Sequence, residues 1–233
     1  DIILEGEGLG RLHNSTVEVT TAGTLTVKEN SFFSKTSLTT VKMEALEVQV
    51  EVNNVPVELH ETSIAIASAG DLVFSGPAAI ANLNRTTLDL IASATVDLTN
   101  ALINLEHSEV YLTCPSANLD LTVDDCLDTE FRIDADALSL AVAGVGMRSN
   151  NRVYVTAATG PVTIGNFRST TGTEVYIWCP TGAVTIKDFD ATTALTLEID
   201  AQSLSLTGEG VSNSNDIYLE VHLSGAMALN TAG

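Results

Sequence analysis

The amino-acid sequence predicts an all-β fold: a single parallel β-helix, or β-solenoid, of about ten coils with a period of roughly 22 residues. Three observations carry this reading. Alternating apolar and polar residues recur along the whole chain, and no segment of ten or more residues has the apolar stripe of a helix. The alternating segments return at a near-constant interval. Residue types repeat at equivalent places, which a β-sandwich gives no reason for.

Taken in order, "VEVTTAGTLTV" (17–27), "LEVQVEVNNVPVEL" (46–59), "IAIASAGDLVF" (64–74) and "LDLIASATVDL" (88–98) each read as two short strands around a turn. Insertions are expected near 28–40 ("KENSFFSKTSLTT") and 76–87 ("GPAAIANLNRTT"). From residue 108 the spacing tightens. "SEVYLTCPSANLDL" starts at Ser108, "TEFRIDADALSLAV" at Thr129, "NRVYVTAATGPVTI" at Asn151, "TEVYIWCPTGAVTI" at Thr173, "ALTLEIDAQSLSL" at Ala194 and "DIYLEVHLSGAMAL" at Asp216. One domain over 1–233 therefore has loosely periodic coils over 1–107 and regular ones over 108–233. A second echo joins "IILEGEGLG" (2–10) to "LSLTGEGVS" (204–212), placing Val17 and Val19 where Leu219 and Val221 fall.

Strand alternation assigns faces. Two inward rows read Val110, Phe131, Val153, Val175, Leu197, Leu219 and Leu112, Ile133, Val155, Ile177, Ile199, Val221. A third reads Cys114, Ala135, Ala157, Cys179, Ala201, Leu223, which makes Cys179 a small core residue at a corner. Cys114 and Cys179 are three turns apart, too far for a disulfide. Cys126 has no assignable face. The outward rows read Tyr111, Arg132, Tyr154, Tyr176, Glu198, Glu220 and Thr113, Asp134, Thr156, Trp178, Asp200, His222, with Tyr218 on the same parity. The candidate binding or interface surface is thus Tyr111, Arg132, Tyr154, Tyr176, Trp178 and Tyr218. Aromatics there either stabilise the ladder by stacking or form a contact face that is both apolar and wet.

Charge and motif content narrow the function. Thirty acidic against ten basic residues give a net charge of −20, and no Lys or Arg follows Lys187, so a phosphate backbone is repelled and nucleic acid is excluded as a partner. No apolar run is long enough for a membrane span, and the start "DIILEGEGLG" has neither Met nor a secretion signal, as expected of a processed or excised chain. His13, His60, His107 and His222 have no partners at metal-ligand spacing, and three cysteines without C-x-x-C form no zinc motif. No metal and no cofactor is expected. "VDDCLD" and "RIDADAL" are read as solvated acidic turns rather than calcium loops. Catalytic residues are expected to be absent: Arg132 with Asp134 is the one suggestive cluster for a polysaccharide lyase or glycosidase, and both face out of one strand without a partner base. Asn14-Ser15-Thr16 and Asn84-Arg85-Thr86 are possible glycosylation sites, compatible with an extracellular or cell-surface location.

The rhythm of "SAGDLVFSG", "TTAGTLTVKEN" and "TGAVTIKDF", a Gly-containing turn followed by a short alternating strand, resembles the repeats of filamentous-haemagglutinin-like adhesins and autotransporter passengers. The resemblance is one of texture along most of the chain and carries over no site residue. The expected function is a non-enzymatic structural subunit that self-associates, head-to-tail or laterally, into an extracellular filament, sheath or surface layer. That follows from solenoid ends that echo each other without a polar capping repeat. The alternative is an adhesin or carbohydrate-binding rod using the Tyr–Trp face.

Overall fold

A computed structural model describes residues 1–5, 12–28, 35–51, 58–75, 80–143, 147–165, 168–169, 172–187, 190–191, 194–208, 210–211 and 216–231. These residues are all-β, without a helix, and every strand pairing among them is parallel. Each coil contributes to three ladders.

The first ladder climbs through Thr16–Thr20, Thr40–Ala45, Ser63–Ser68 and Thr87–Ala92. It continues through the starts of Glu109–Leu127 and Glu130–Ala143, then Arg152–Thr156, the starts of Thr173–Ile186 and Leu195–Gly208, and Ile217–Leu223. The second runs from Ile2–Leu4 and Thr24–Lys28 up to Met227–Thr231. The third starts with Lys35–Ser37, Glu58–His60 and Ile80–Asn84 and reaches Asp190–Ala191 and Gly210–Val211. The described residues form nine complete three-strand coils, with Ile2–Leu4 below and two strands of a further coil above, so about ten is slightly high as a count of complete coils.

The expected register is the observed one. Val153 pairs with Val175, Tyr154 with Tyr176 and Thr163 with Thr185. The echo between the two ends is also structural, since Ile2–Leu4 and residues 204–206 both lie in the second ladder, and Val17 and Leu219 both lie in the first. The segments 28–40 and 76–87 are not plain insertions. Each carries a third-ladder strand, Lys35–Ser37 or Ile80–Asn84, that pairs in register with its neighbours. These strands are too short for alternation to reveal them. Residues 6–11, 29–34, 52–57 and 76–79 lie outside the described residues, including most of the Gly-rich start.

The core is the stack of inward rows. Val110, Phe131, Val153, Val175 and Leu197 are buried, as are Leu112, Ile133, Val155, Ile177 and Ile199. Cys114, Ala135, Ala157, Cys179 and Ala201 form the expected small column at the corner, all buried. Cys126 is buried too, and all three cysteines are free thiols. Filling a coil interior with Val, Ile and Leu removes apolar surface from water all along the rod, at about 25 cal/mol per Å².

The corner between the third and first ladders has its own rule. Asn14, Leu38, Glu61, Arg85, His107, Asp128, Asn150, Gly172, Ala194 and Asp216 each have positive φ, one per coil. A left-handed non-glycine residue costs about 1–2 kcal/mol, and at the corners from Asn14 to Asp128 the hydroxyl of the next residue supplies compensation. Thr39, Thr62, Thr86, Ser108 and Thr129 are buried, and each hydroxyl donates to the carbonyl two residues back, at 2.8–3.2 Å. Backbone bonding continues through the bend. The Leu38, Glu61 and Arg85 N–H groups donate up to the third ladder of the next coil, while Ser63, Thr87 and Glu109 donate down to the corner below. The coil therefore turns without stranding buried amides.

Candidate functional site

The face that could carry function is the outer surface of the first ladder. Its middle column reads Glu18, Lys42, Ala65, Asp89, Tyr111, Arg132, Tyr154, Tyr176, Glu198, Glu220. The column toward the second ladder ends in Thr156, Trp178, Asp200 and His222, and the column on the other side ends in Glu174, Thr196 and Tyr218. Every residue named from the sequence as a contact surface lies on this one face.

The parallel register brings several of them together. Tyr154 and Tyr176 stack with ring centroids 5.1 Å apart and planes 8° from parallel. The Arg132 guanidinium lies over the Tyr154 ring, 5.4 Å from its centroid, a cation–π arrangement. Arg132 is held there by the Glu130 carboxylate beside it, which also raises its pKa. Arg152 is similarly engaged by Glu174 at 3.3 Å. Trp178 is not part of the stack but stands 49% exposed beside it.

Two shallow grooves run along this surface. One, of about 470 Å³, is lined by Tyr111, Arg132, Asp134, Tyr154 and Thr156 among others. The other, of about 320 Å³, is lined by Tyr154, Tyr176, Trp178, Glu198, Asp200 and the Glu220–His222 pair. They share Tyr154 and Thr156, so they form one trough over six rungs, on the order of 24 Å at the usual strand spacing.

The trough is acidic toward its upper end. Burial, followed by Glu174 and Glu198, pushes the Tyr176 phenol up. Tyr218 donates to Glu220 and its own pKa rises for that reason. Glu220 moves the other way: the Tyr218 hydroxyl, then His222 at 2.9 Å, hold its carboxyl below the usual range. Tyr111, lower down, is raised by burial and by donating to Glu109 at 3.0 Å. Glu198, Asp200, Glu220 and His222 fall in the outward rows of the sequence but outside the contact surface it predicts. Their position one and two repeats above Tyr176 and Trp178 was the available signal.

The other candidates are dispersed. Asn14 is exposed at a left-handed corner, whereas the Asn84 amide donates to Glu106 at 2.8 Å. His13, His60 and His107 lie along the corner, near Ser37, Asn84 and Asp128 respectively. Among the described residues no group of three or more His, Cys, Asp or Glu could hold a metal ion; the side chains of Asp124 and Asp125 lie outside that description. Cys179 is buried, its thiol donates to the Gly160 carbonyl at 3.2 Å, and burial raises its pKa, all of which oppose thiolate chemistry. Cys179→Ala is expected to cost about 1 kcal/mol in urea unfolding, because Ala157 and Ala201 fill the same column. A loss several times larger would mean that the thiol does more than fill space.

Comparison with protein-family models, with curated proteins and with solved structures finds no match for this chain.

Proposed function

We propose that the protein is a non-enzymatic β-solenoid rod, extracellular or at a cell surface, that binds a glycan chain along the aromatic trough of its first ladder. The observation that carries this is the placement of the Tyr154–Tyr176 stack and the half-exposed Trp178 in one open trough with hydrogen-bonding carboxylates. Rings with one apolar and one wet side, beside polar acceptors, match the mixed surface of a sugar. On this reading the rod is an adhesin segment, in keeping with the texture shared with filamentous-haemagglutinin-like and autotransporter repeats.

A glycosidase is disfavoured. Its two carboxyl groups must flank one scissile bond, one of them free to give a proton, and the Glu220 carboxylate is instead taken up by the Tyr218 hydroxyl and His222. Arg132 is committed to Glu130 and Tyr154 rather than free to assist a base.

Tyr176→Ser with Trp178→Ser is expected to abolish binding to a glycan array while the unfolding transition stays cooperative and shifts by about 1–2 kcal/mol. Retained binding would move the site elsewhere. Unfolding of the variant would instead make the aromatic face structural.

A second reading, a structural subunit that self-associates into a filament, sheath or surface layer, is favoured by one observation. Leu219, Met227 and Leu229 are 50%, 44% and 61% exposed, although the residues they pair with, Leu197, Leu204 and Leu206, are buried. A further coil stacked on them, whether a continuation of this chain or a coil of a second copy, would bury this surface and pair the strand edge. Particle mass by light scattering separates the readings: growth with concentration supports assembly, and a constant monomer mass removes it.

A further inference from the structure

Within the trough, the ladder Arg132–Tyr154–Tyr176–Glu198 contains its own template for a ligand. The lower face of Tyr154 is covered by the Arg132 cation and its upper face by the Tyr176 ring. The far face of Tyr176 turns to the rung of Glu198, which carries no cation, and His222, one rung above Asp200, is bound to Glu220. Neither Glu198 nor Asp200 has a hydrogen-bond donor or ion-pair partner among the described residues, and no Lys or Arg lines the upper groove. The place above Tyr176 therefore has the aromatic surface and the carboxylates that the place below Tyr154 has in Tyr154 and Glu130, but lacks the cation.

We propose that the trough selects a cationic glycan, a chain of amino sugars with free ammonium groups, one of which sits between the Tyr176 and Trp178 rings and the Glu198 and Asp200 carboxylates. The proposal rests on the reading that this face binds a glycan. Charge complementarity chooses the class. The net charge of −20 repels uronic-acid and sulfated chains and draws in a polycation from beyond the contact distance. An ammonium held against an aromatic face and a carboxylate gains both terms, while a neutral sugar gains neither of the charged ones. A lysine-rich peptide carries the same charge, but its flexible side chains present no ring to continue the Tyr154–Tyr176 stack.

Trp178 is the only tryptophan, so its fluorescence reads the site directly. The whole chain is titrated with a glucosamine hexamer, the fully N-acetylated hexamer and hexalysine, at low and moderate salt. The expected result is a saturable change in Trp178 emission with the glucosamine hexamer. Binding should be about tenfold weaker for the acetylated chain and for the Glu198→Gln/Asp200→Asn variant, and it should weaken with salt. Equal binding of the two hexamers overturns the charge selection but leaves a glycan site. Hexalysine binding as tightly as the amino sugar overturns the sugar assignment. No response to either sugar, with a folded protein by circular dichroism, overturns both.

Discussion

Gly160→Ala is expected to destabilise the rod by about 3 kcal/mol, the upper end of what overpacking costs, because the obstacle is backbone. Gly160 lies at the bend between the first and second ladders, directly over Asp136. A Cβ there would run into the Asp136 carbonyl oxygen, with the carbonyl carbon at 2.7 Å and the Ala137 Cβ at 2.8 Å. Successive coils are hydrogen-bonded on both sides of this point, at Glu130–Arg152 and Leu138–Val162, so neither can back away. One coil higher Gly182 repeats the arrangement: its Cβ would meet the Gly160 carbonyl oxygen and lie 2.5 Å from the Cys179 sulfur. The midpoint and slope of urea unfolding measure the effect. A change below roughly 1 kcal/mol would mean that the coils are less closely stacked here than their bonding indicates.

Asn151→Ala is expected to cost about 2–4 kcal/mol by a different route, the stranding of buried polar groups. Asn151 is fully buried, and its amide nitrogen donates to the Cys126 carbonyl at 2.8 Å while its oxygen accepts the Thr129 N–H at 3.0 Å. The two partners flank the Asp128 corner directly below, so this side chain fastens successive coils at the left-handed corner. Alanine leaves the buried Thr129 N–H without its acceptor and takes one donor away from the Cys126 carbonyl. Hydrogen exchange should report the change locally, with the Thr129 amide losing protection before the rest of its coil. Asn151→Thr should recover part of the loss, since Thr and Ser occupy the same place at Thr86, Ser108 and Thr129. An alanine variant as stable as the parent would show that water or a shifted backbone replaces the amide.

The first ladder was legible in the sequence because its signal is redundant. Two apolar rows and a small row repeat together, and a one-residue slip would expose all of them. The left-handed corner was not legible, for a physical reason. Its requirement falls on the backbone, while the side chains of Leu38, Glu61, Arg85 and His107 share neither size nor charge. Only the buried hydroxyl after it leaves a trace, in Thr39, Thr62, Thr86, Ser108 and Thr129. At the site, parity was enough to put Tyr176 and Trp178 outward. The convergence of Glu198, Asp200 and His222 on them depends on how neighbouring rungs and columns close over one groove, which a row-by-row reading does not contain.

The left-handed corner also governs how the chain tolerates change in length. From it to the first of the two apolar rows is always three positions: Asn14 to Val17, His107 to Val110, Gly172 to Val175, Asp216 to Leu219. Yet successive corners are 21 residues apart at their closest, His107 to Asp128, and 24 from Asn14 to Leu38. Each corner thus resets the phase, and an added or deleted residue is absorbed before the next one instead of shifting every coil above it. Segments cut from corner to corner keep the same phase, so a rod of this kind can be lengthened or shortened by whole segments while its remaining rungs keep their alignment.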